Sequence, residues 1–177
     1  MHDLWIIDDR YLGFSDKPKS DKPYQERTRV CCIVRNEQKH IALIELTKFH
    51  HHFLPWGKKE ESETDEQAIR REISEETGYR IENIIPFAQI THHKARTQQH
   101  EICYVYTMKT AWRPWPVQLT QKEQDQWLQV KWVDIQHAIQ LLQQDAPTSY
   151  NGHFYLASSL NVLTYLLQLD EEDSKHS

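Results

Sequence analysis

Three glutamates, Glu72, Glu75 and Glu76, stand close together in a segment that reads as helical, and at 3.6 residues per turn they share an arc of about 100°. Like charges at i,i+3 and i,i+4 each destabilise a helix by about 0.2 to 0.5 kcal/mol, so a purely structural helix gains nothing from this clustering. A bound divalent cation turns the repulsion into coordination. The donors are oxygens without a matching His or Cys set, which favours Mg²⁺ or Mn²⁺. Mg²⁺ typically takes one or two carboxylates and fills the rest of its shell with water and substrate phosphates.

Such an array needs a helix with firm ends and a packed back. Thr64 can cap the helix while Gln67 returns the bond, Asp65 and Glu66 complement the positive dipole end, and Gly78 supplies a left-handed stop. The pattern predicts a helix over 65–77. Ile69, Ile73 and Thr77 form the neighbouring stripe that packs on a sheet, while Arg70 and Ser74 face water. The segment 53–60, Phe-Leu-Pro-Trp-Gly-Lys-Lys-Glu, reads as a loop leading into it. The β-type runs 29–34 and 40–46 form a hairpin around Asn36-Glu37-Gln38-Lys39. Further strands are expected at 84–91, 102–109 and 128–133, and helices at 135–143 and about 154–169. Strands separated by helices, without repeats, argue for a mixed α/β or α+β layer fold.

The spacing also matches a known pattern. Gly57, five residues, Glu63, seven residues, then Arg71-Glu72-Ile73-Ser74-Glu75-Glu76-Thr77-Gly78-Tyr79 resembles the box of the Nudix hydrolases, Gly-x5-Glu-x7-Arg-Glu-U-x-Glu-Glu-x-Gly-U with U apolar. The departure inside it is Tyr79, where an aliphatic residue is usual. Trp56 stands where the family often has a second Gly. The resemblance implies an α/β/α sandwich with a mixed sheet, here with an N-terminal arm and an extra C-terminal helix. It implies a hydrolase that cleaves a nucleoside diphosphate linked to another group, by attack of metal-activated water on a diphosphate phosphorus. In that family's terms Glu72, Glu75, Glu76 and the Gly57 carbonyl ligate Mg²⁺ or Mn²⁺, while Glu63 and Arg71 hold the loop and the glutamates in place. The general base lies either on the box helix or on a downstream loop, which makes Glu75 the first candidate and Glu123 the second. A module that keeps the fold but only binds nucleotides, without catalysis, is the competing class; it would be free to lose the metal glutamates, and this chain has all of them.

The rest of the 177 residues bounds these expectations. A hydrophobic share of 38 % with six Trp and eight Tyr excludes disorder for most of the chain. The net charge of −5 is uneven: residues 57–79 hold eight acids against four bases, a local −4, and the tail 170–177 a local −3. The remainder is slightly basic without a broad basic field, which argues against general nucleic-acid binding. Apolar runs stay below the roughly 18 residues that cross a bilayer, and the start lacks a basic n-region and an apolar h-region. Three cysteines without CxxC spacing argue against disulfides and thiolate zinc, so a cytoplasmic setting without membrane association is expected. Cys31 and Cys32 read as buried strand residues.

Residues 1–27 are treated as an N-terminal extension, with a Pro-broken loop or extended arm at 16–23. The resemblance implies a Nudix domain over 28–145, followed by a C-terminal helix and acidic tail at 146–177. The histidines at 50–52 and 92–93 read as solvated loop residues, since adjacent His cannot all face one ion on regular structure. The loop 92–100 carries Lys94 and Arg96, which either reach substrate phosphates or are simply solvated. Trp56 is either packed or a substrate-stacking ring. Tyr104, Tyr106, Trp112, Trp115, Trp127 and Trp132 read as packing residues. Leu156, Leu160, Leu163 and Leu167 line one helix face, for the core or for a homodimer.

Overall fold

The computed structural model describes residues 2–18, 20–49, 51–111, 116, 121–125 and 128–175. In chain order its elements are β1 (His2–Asp8), β2 (Gln25–Arg35), β3 (Ile41–Leu46), β4 (His51–Phe53), β5 (Trp56–Lys58), α1 (Asp65–Thr77), β6 (Ile81–Lys94), β7 (Gln99–Thr110), α2 (Gln121–Asp125), β8 (Leu128–Val133), α3 (Ile135–Gln144) and α4 (Tyr150–Lys175). The fold is mixed α/β, with β1 and β6 parallel and the other registered pairs antiparallel. By its internal contacts the chain divides into two compact units, Met1–Val34 with Pro55–Gln118 and Arg35–Leu54 with Leu119–Ser177.

In the first unit β6 lies between β1 and β7, β7 neighbours β2, and β2 pairs β5 with Val30 opposite Gly57. Helix α1 has the ends its residues dictate. The Thr64 hydroxyl accepts from the Gln67 N–H at 3.2 Å, the Gln67 side chain accepts from the Thr64 N–H at 2.8 Å, and Gly78 sits at φ 73° donating to the Ser74 carbonyl. Ile69 and Ile73 are fully buried, each contributing about 1.5 to 3 kcal/mol of apolar burial. On the helix-facing side of β2, Val30 and Cys32 are fully buried as well. Tyr106, also buried, donates its hydroxyl to Asp65 at 2.5 Å and fastens β7 to the helix start.

In the second unit β3 pairs β8 along its length, from Ile41 opposite Val133 to Leu46 opposite Leu128, and pairs β4 with Ile44 opposite Phe53. The hairpin turn is closed by the Asn36 side chain, which accepts from the N–H groups of Gln38 and His40 at 3.0 and 2.9 Å. Asp134 caps α3 by accepting from the His137 N–H at 2.9 Å. The last helix starts earlier and ends later than its apolar spacing predicts, and Arg35 holds Asp170 at 2.8 Å on its acidic end. Leu163 is buried; Leu156, Leu160 and Leu167 are half-buried.

Several expectations need correction. The N-terminal extension is not loop or arm throughout: residues 2–8 form a strand whose Ile7 is fully buried, because parallel pairing to β6 satisfies its backbone. The polar stretch 92–100 is a strand end, a short 3₁₀ turn over Ala95–Thr97 and a strand start rather than a loop. His51, His52 and His92 are buried rather than solvated. His52 is enclosed with Asp145, its Nδ1 3.1 Å from a carboxylate oxygen. His50, Trp112, Trp115 and Trp127 lie outside the described residues. None of the described helices is long and apolar enough to cross a membrane.

Candidate functional site

The box residues meet around one guanidinium. Arg71 donates from Nε and Nη2 to the two oxygens of Glu63 at 2.7 and 2.9 Å, and from Nη1 to Glu72 at 2.9 Å and to Glu75 at 3.5 Å. Its Nη2 also donates to the Lys58 carbonyl at 3.1 Å. A planar fork with several fixed donors is what such a junction requires, and a lysine has no equivalent geometry. Glu63 further accepts from the Glu60 N–H at 3.0 Å, and the Arg71 bonds and this one hold its carboxyl down to about 2. Lys59 bridges to Asp65 at 2.7 Å, so the loop between β5 and α1 is tied at several points.

Gly57 is required by contact. A Cβ built there would lie 2.2 Å from Glu72 Cγ and 2.8 Å from its Cδ, inside any tolerable separation. The backbone of β5 and the Glu72 carboxylate therefore approach as only glycine permits. Burial pushes the Glu72 carboxyl above its ordinary value, although the Arg71 hydrogen bond and charge oppose this. Glu76 is 5 % exposed and Glu75 has 39 % of its side chain exposed, so of the two Glu75 opens to solvent. Three acids share one arginine here, with an oxygen-only donor set and a partly desolvated carboxylate. That chemistry fits an oxygen-seeking divalent cation.

The other sequence candidates separate. Trp56 is 7 % exposed and stacks on His92, with ring centroids 5.8 Å apart, which agrees with the packed one of its two readings rather than with a substrate-stacking ring. Lys94 is fully buried and ion-paired with Glu101, which corrects its reading as a phosphate-facing loop residue. Arg96 is exposed and lines a cavity of about 340 Å³ with Asp9, Phe14, Ser15 and Lys17. Glu123 lies on the short helix α2 of the second unit, and its side chain is outside the described residues.

Sequence reasoning missed Arg29 and Glu101. Glu101 accepts from Arg29 at 3.2 Å, and His92, Glu101 and Cys103 bring ligand-type atoms within 4.8 Å of one another. The signal was strand alternation: Cys103 and Val105 lie two and four residues beyond Glu101 and face the same interior.

The mixed sheet, the box helix and the arginine-centred carboxylates define a mixed α/β domain with an acidic site on one helix. The chain belongs to the Nudix family, whose domain model matches residues 25–153. Two solved structures share its fold. The crystal structure of a MutT NUDIX hydrolase from Burkholderia pseudomallei is 21 % identical, covers 75 % of this chain and 97 % of its own, and superposes with a TM-score of 0.51. A NUDIX hydrolase from Nitrosomonas europaea is 14 % identical, covers 76 % of this chain and 91 % of its own, and gives a TM-score of 0.56. None of the curated proteins matches the chain.

Proposed function

We propose that the protein hydrolyses a diphosphate bond in a nucleoside diphosphate linked to another group, with Mg²⁺ or Mn²⁺ as cofactor. The observation that carries this reading is the contact of Gly57 with Glu72 at a distance that excludes any side chain, beside an arginine that gathers Glu63, Glu72 and Glu75. Glu72, Glu75, Glu76 and the Gly57 carbonyl would hold the cation. When bound, the cation lowers the pKa of water and neutralises charge on phosphate oxygens.

The chain's own groups do the rest. Arg71 and Glu63 fix the loop and aim the carboxylates, and Glu75, the more open of Glu75 and Glu76, accepts the proton of the attacking water. Lys17 and Arg96, with the Phe14 ring, offer two cations and an aromatic surface to the part of the substrate away from the scissile bond. Hydrolysis of a panel of nucleoside diphosphate derivatives, with and without Mg²⁺, tests the reading. Turnover of at least one member that vanishes with chelator is the expected result. Binding without turnover across the panel would replace the hydrolase with a nucleotide-binding module.

A further inference from the structure

The first unit buries an ionic cluster on the face of the sheet that α1 does not cover. Val30 lies opposite Gly57, which abuts Glu72 of α1, and Tyr106 bonds Asp65, so Val30, Cys32 two residues on, and Tyr106 mark the helix side. The residues one step out of phase with them, Arg29 and Cys31 on β2 and Glu101, Cys103 and Val105 on β7, point the other way. There Glu101 is the common acceptor. Arg29 Nε reaches it at 3.2 Å, Lys94 Nζ bonds it closely, and His92 Nδ1 lies 3.4 Å away. Both Lys94 and Glu101 are fully enclosed. Burial alone raises a carboxyl, but the His92 bond and the Lys94 and Arg29 charges prevail and keep the Glu101 carboxyl far down.

His92, Glu101 and Cys103 together have the make-up of a metal site. Two facts fill it differently. The Lys94 ammonium already neutralises Glu101, and burial pushes the Cys103 thiol well up, so it stays protonated. The cluster carries its own cation.

A buried ion pair seldom adds net stability over apolar residues of the same volume, so its use is sought in what it holds in place. The groups come from three strands: Arg29 from β2, His92 and Lys94 from β6, and Glu101 from β7. They bear on one short segment. Arg29 lies opposite Lys58, Val30 opposite Gly57 and Cys31 opposite Trp56, and the Trp56 ring stacks on His92. Strand β5 is thus seated from behind by the cluster, while Glu72 abuts Gly57 from the front with no room for a Cβ.

We propose that His92, held by Glu101 and stacked under Trp56, is a positioning residue that seats β5 against the box helix and thereby sets the protein's affinity for its divalent cation. This rests on the metal-dependent reading given above. His92 acts on β5 through the Trp56 ring on which it stacks. Partners of this outer kind typically shift metal affinity by about 10- to 100-fold when removed.

The test compares His92→Ala, which loses both the bond to Glu101 and the stack, with His92→Phe, which keeps a ring under Trp56. In His92→Ala the Mg²⁺ concentration that half-saturates the rise in melting temperature should increase about tenfold. Hydrogen exchange at the Trp56–Lys58 amides should quicken in metal-free protein, and His92→Phe should restore most of both. A lower melting temperature with unchanged half-saturating Mg²⁺ and unchanged exchange at residues 56–58 would overturn the proposal. Should His92→Ala fail to fold, Trp56→Leu breaks the same stack from the other side and carries the same expectation. Glu76→Gln is the control for the underlying reading. If it abolishes the Mg²⁺ response while His92→Ala leaves that response intact, only the positioning role falls; if it changes nothing, the metal assignment falls and the positioning role with it.

Discussion

Replacing Gly57 with alanine adds one methyl at the point where β5 meets the box helix. The backbone itself raises no objection, since Gly57 is not among the residues at positive φ. Taken alone, such a change stabilises by about 0.4 to 1 kcal/mol through the unfolded chain. The contact reverses the sign. At 2.2 Å from Glu72 Cγ the new carbon strikes the root of the side chain rather than its flexible tip. Glu72 must leave its rotamer and release the 2.9 Å bond from Arg71, or β5 must move away from β2. Overpacking of this kind costs about 1 to 3 kcal/mol, so the net effect is destabilising by up to about 2.5 kcal/mol. At about 2 to 4 °C per kcal/mol for a chain of this size, calorimetry should show a fall of several degrees in melting temperature. The larger effect should be on the cation: with Glu72 displaced, half-saturating Mg²⁺ should rise by at least about tenfold, one factor of ten being 1.4 kcal/mol. A variant as stable as the parent, with an unchanged Mg²⁺ response, would refute the assignment of Gly57 and Glu72 to one site.

Glu75→Gln and Glu76→Gln should each cut kcat by about a hundredfold or more, since several kcal/mol of charge stabilisation depend on that array, while circular dichroism stays native; near-parental turnover at saturating Mg²⁺ would remove them from the site. Lys17→Ala with Arg96→Ala should raise KM much more than it lowers kcat, and the effect should shrink at high salt; equal KM values at low ionic strength would detach the cavity from the substrate. The Glu63 carboxyl is held to about 2, below its unfolded value of 4.5, so its stabilisation is complete above 4.5 and is lost as pH falls toward 2. Melting temperature measured across that window should fall less steeply for Glu63→Gln than for the parent, and parallel curves would mean that the Arg71 bond contributes nothing.

The box helix was legible to the residue because its boundaries are written locally: Thr64 and Gln67 close a reciprocal cap and Gly78 takes the left-handed turn. The hairpin and β8 were legible for the same reason, since alternation and turn residues act over a few positions. Lys94 and His92 were not. A polar run with three histidines and two bases reads as solvated, and only pairing His92 opposite Glu101 reveals that alternate members face inward. Burial of Lys94 depends on an acid seven residues away across a tight turn, which no local preference encodes. The strand at the N-terminus escaped for a related reason: its partner, β6, lies some eighty residues on, and parallel pairing leaves no hairpin signature. Of the candidate site, the residue types, their helical face and, through the family pattern, the holding role of Arg71 were readable; the individual bonds that Arg71 makes to Glu63, Glu72, Glu75 and the Lys58 carbonyl were not.

That arginine makes the site mechanically stiff in a particular sense. One planar group bonds Glu63 on the loop, Glu72 and Glu75 on the helix, and the carbonyl of Lys58 at the end of β5. Loop, helix and strand therefore cannot shift independently, and a displacement at any one is passed to the other two through a rigid body a few ångströms across. Changes that retune this domain without disturbing the carboxylates must consequently be made away from this joint, at side chains that bond none of its members. Substitutions within the joint should behave as one unit: a second change adds little to the damage of the first, and the effects of Glu63 and Arg71 variants on a common readout will not sum.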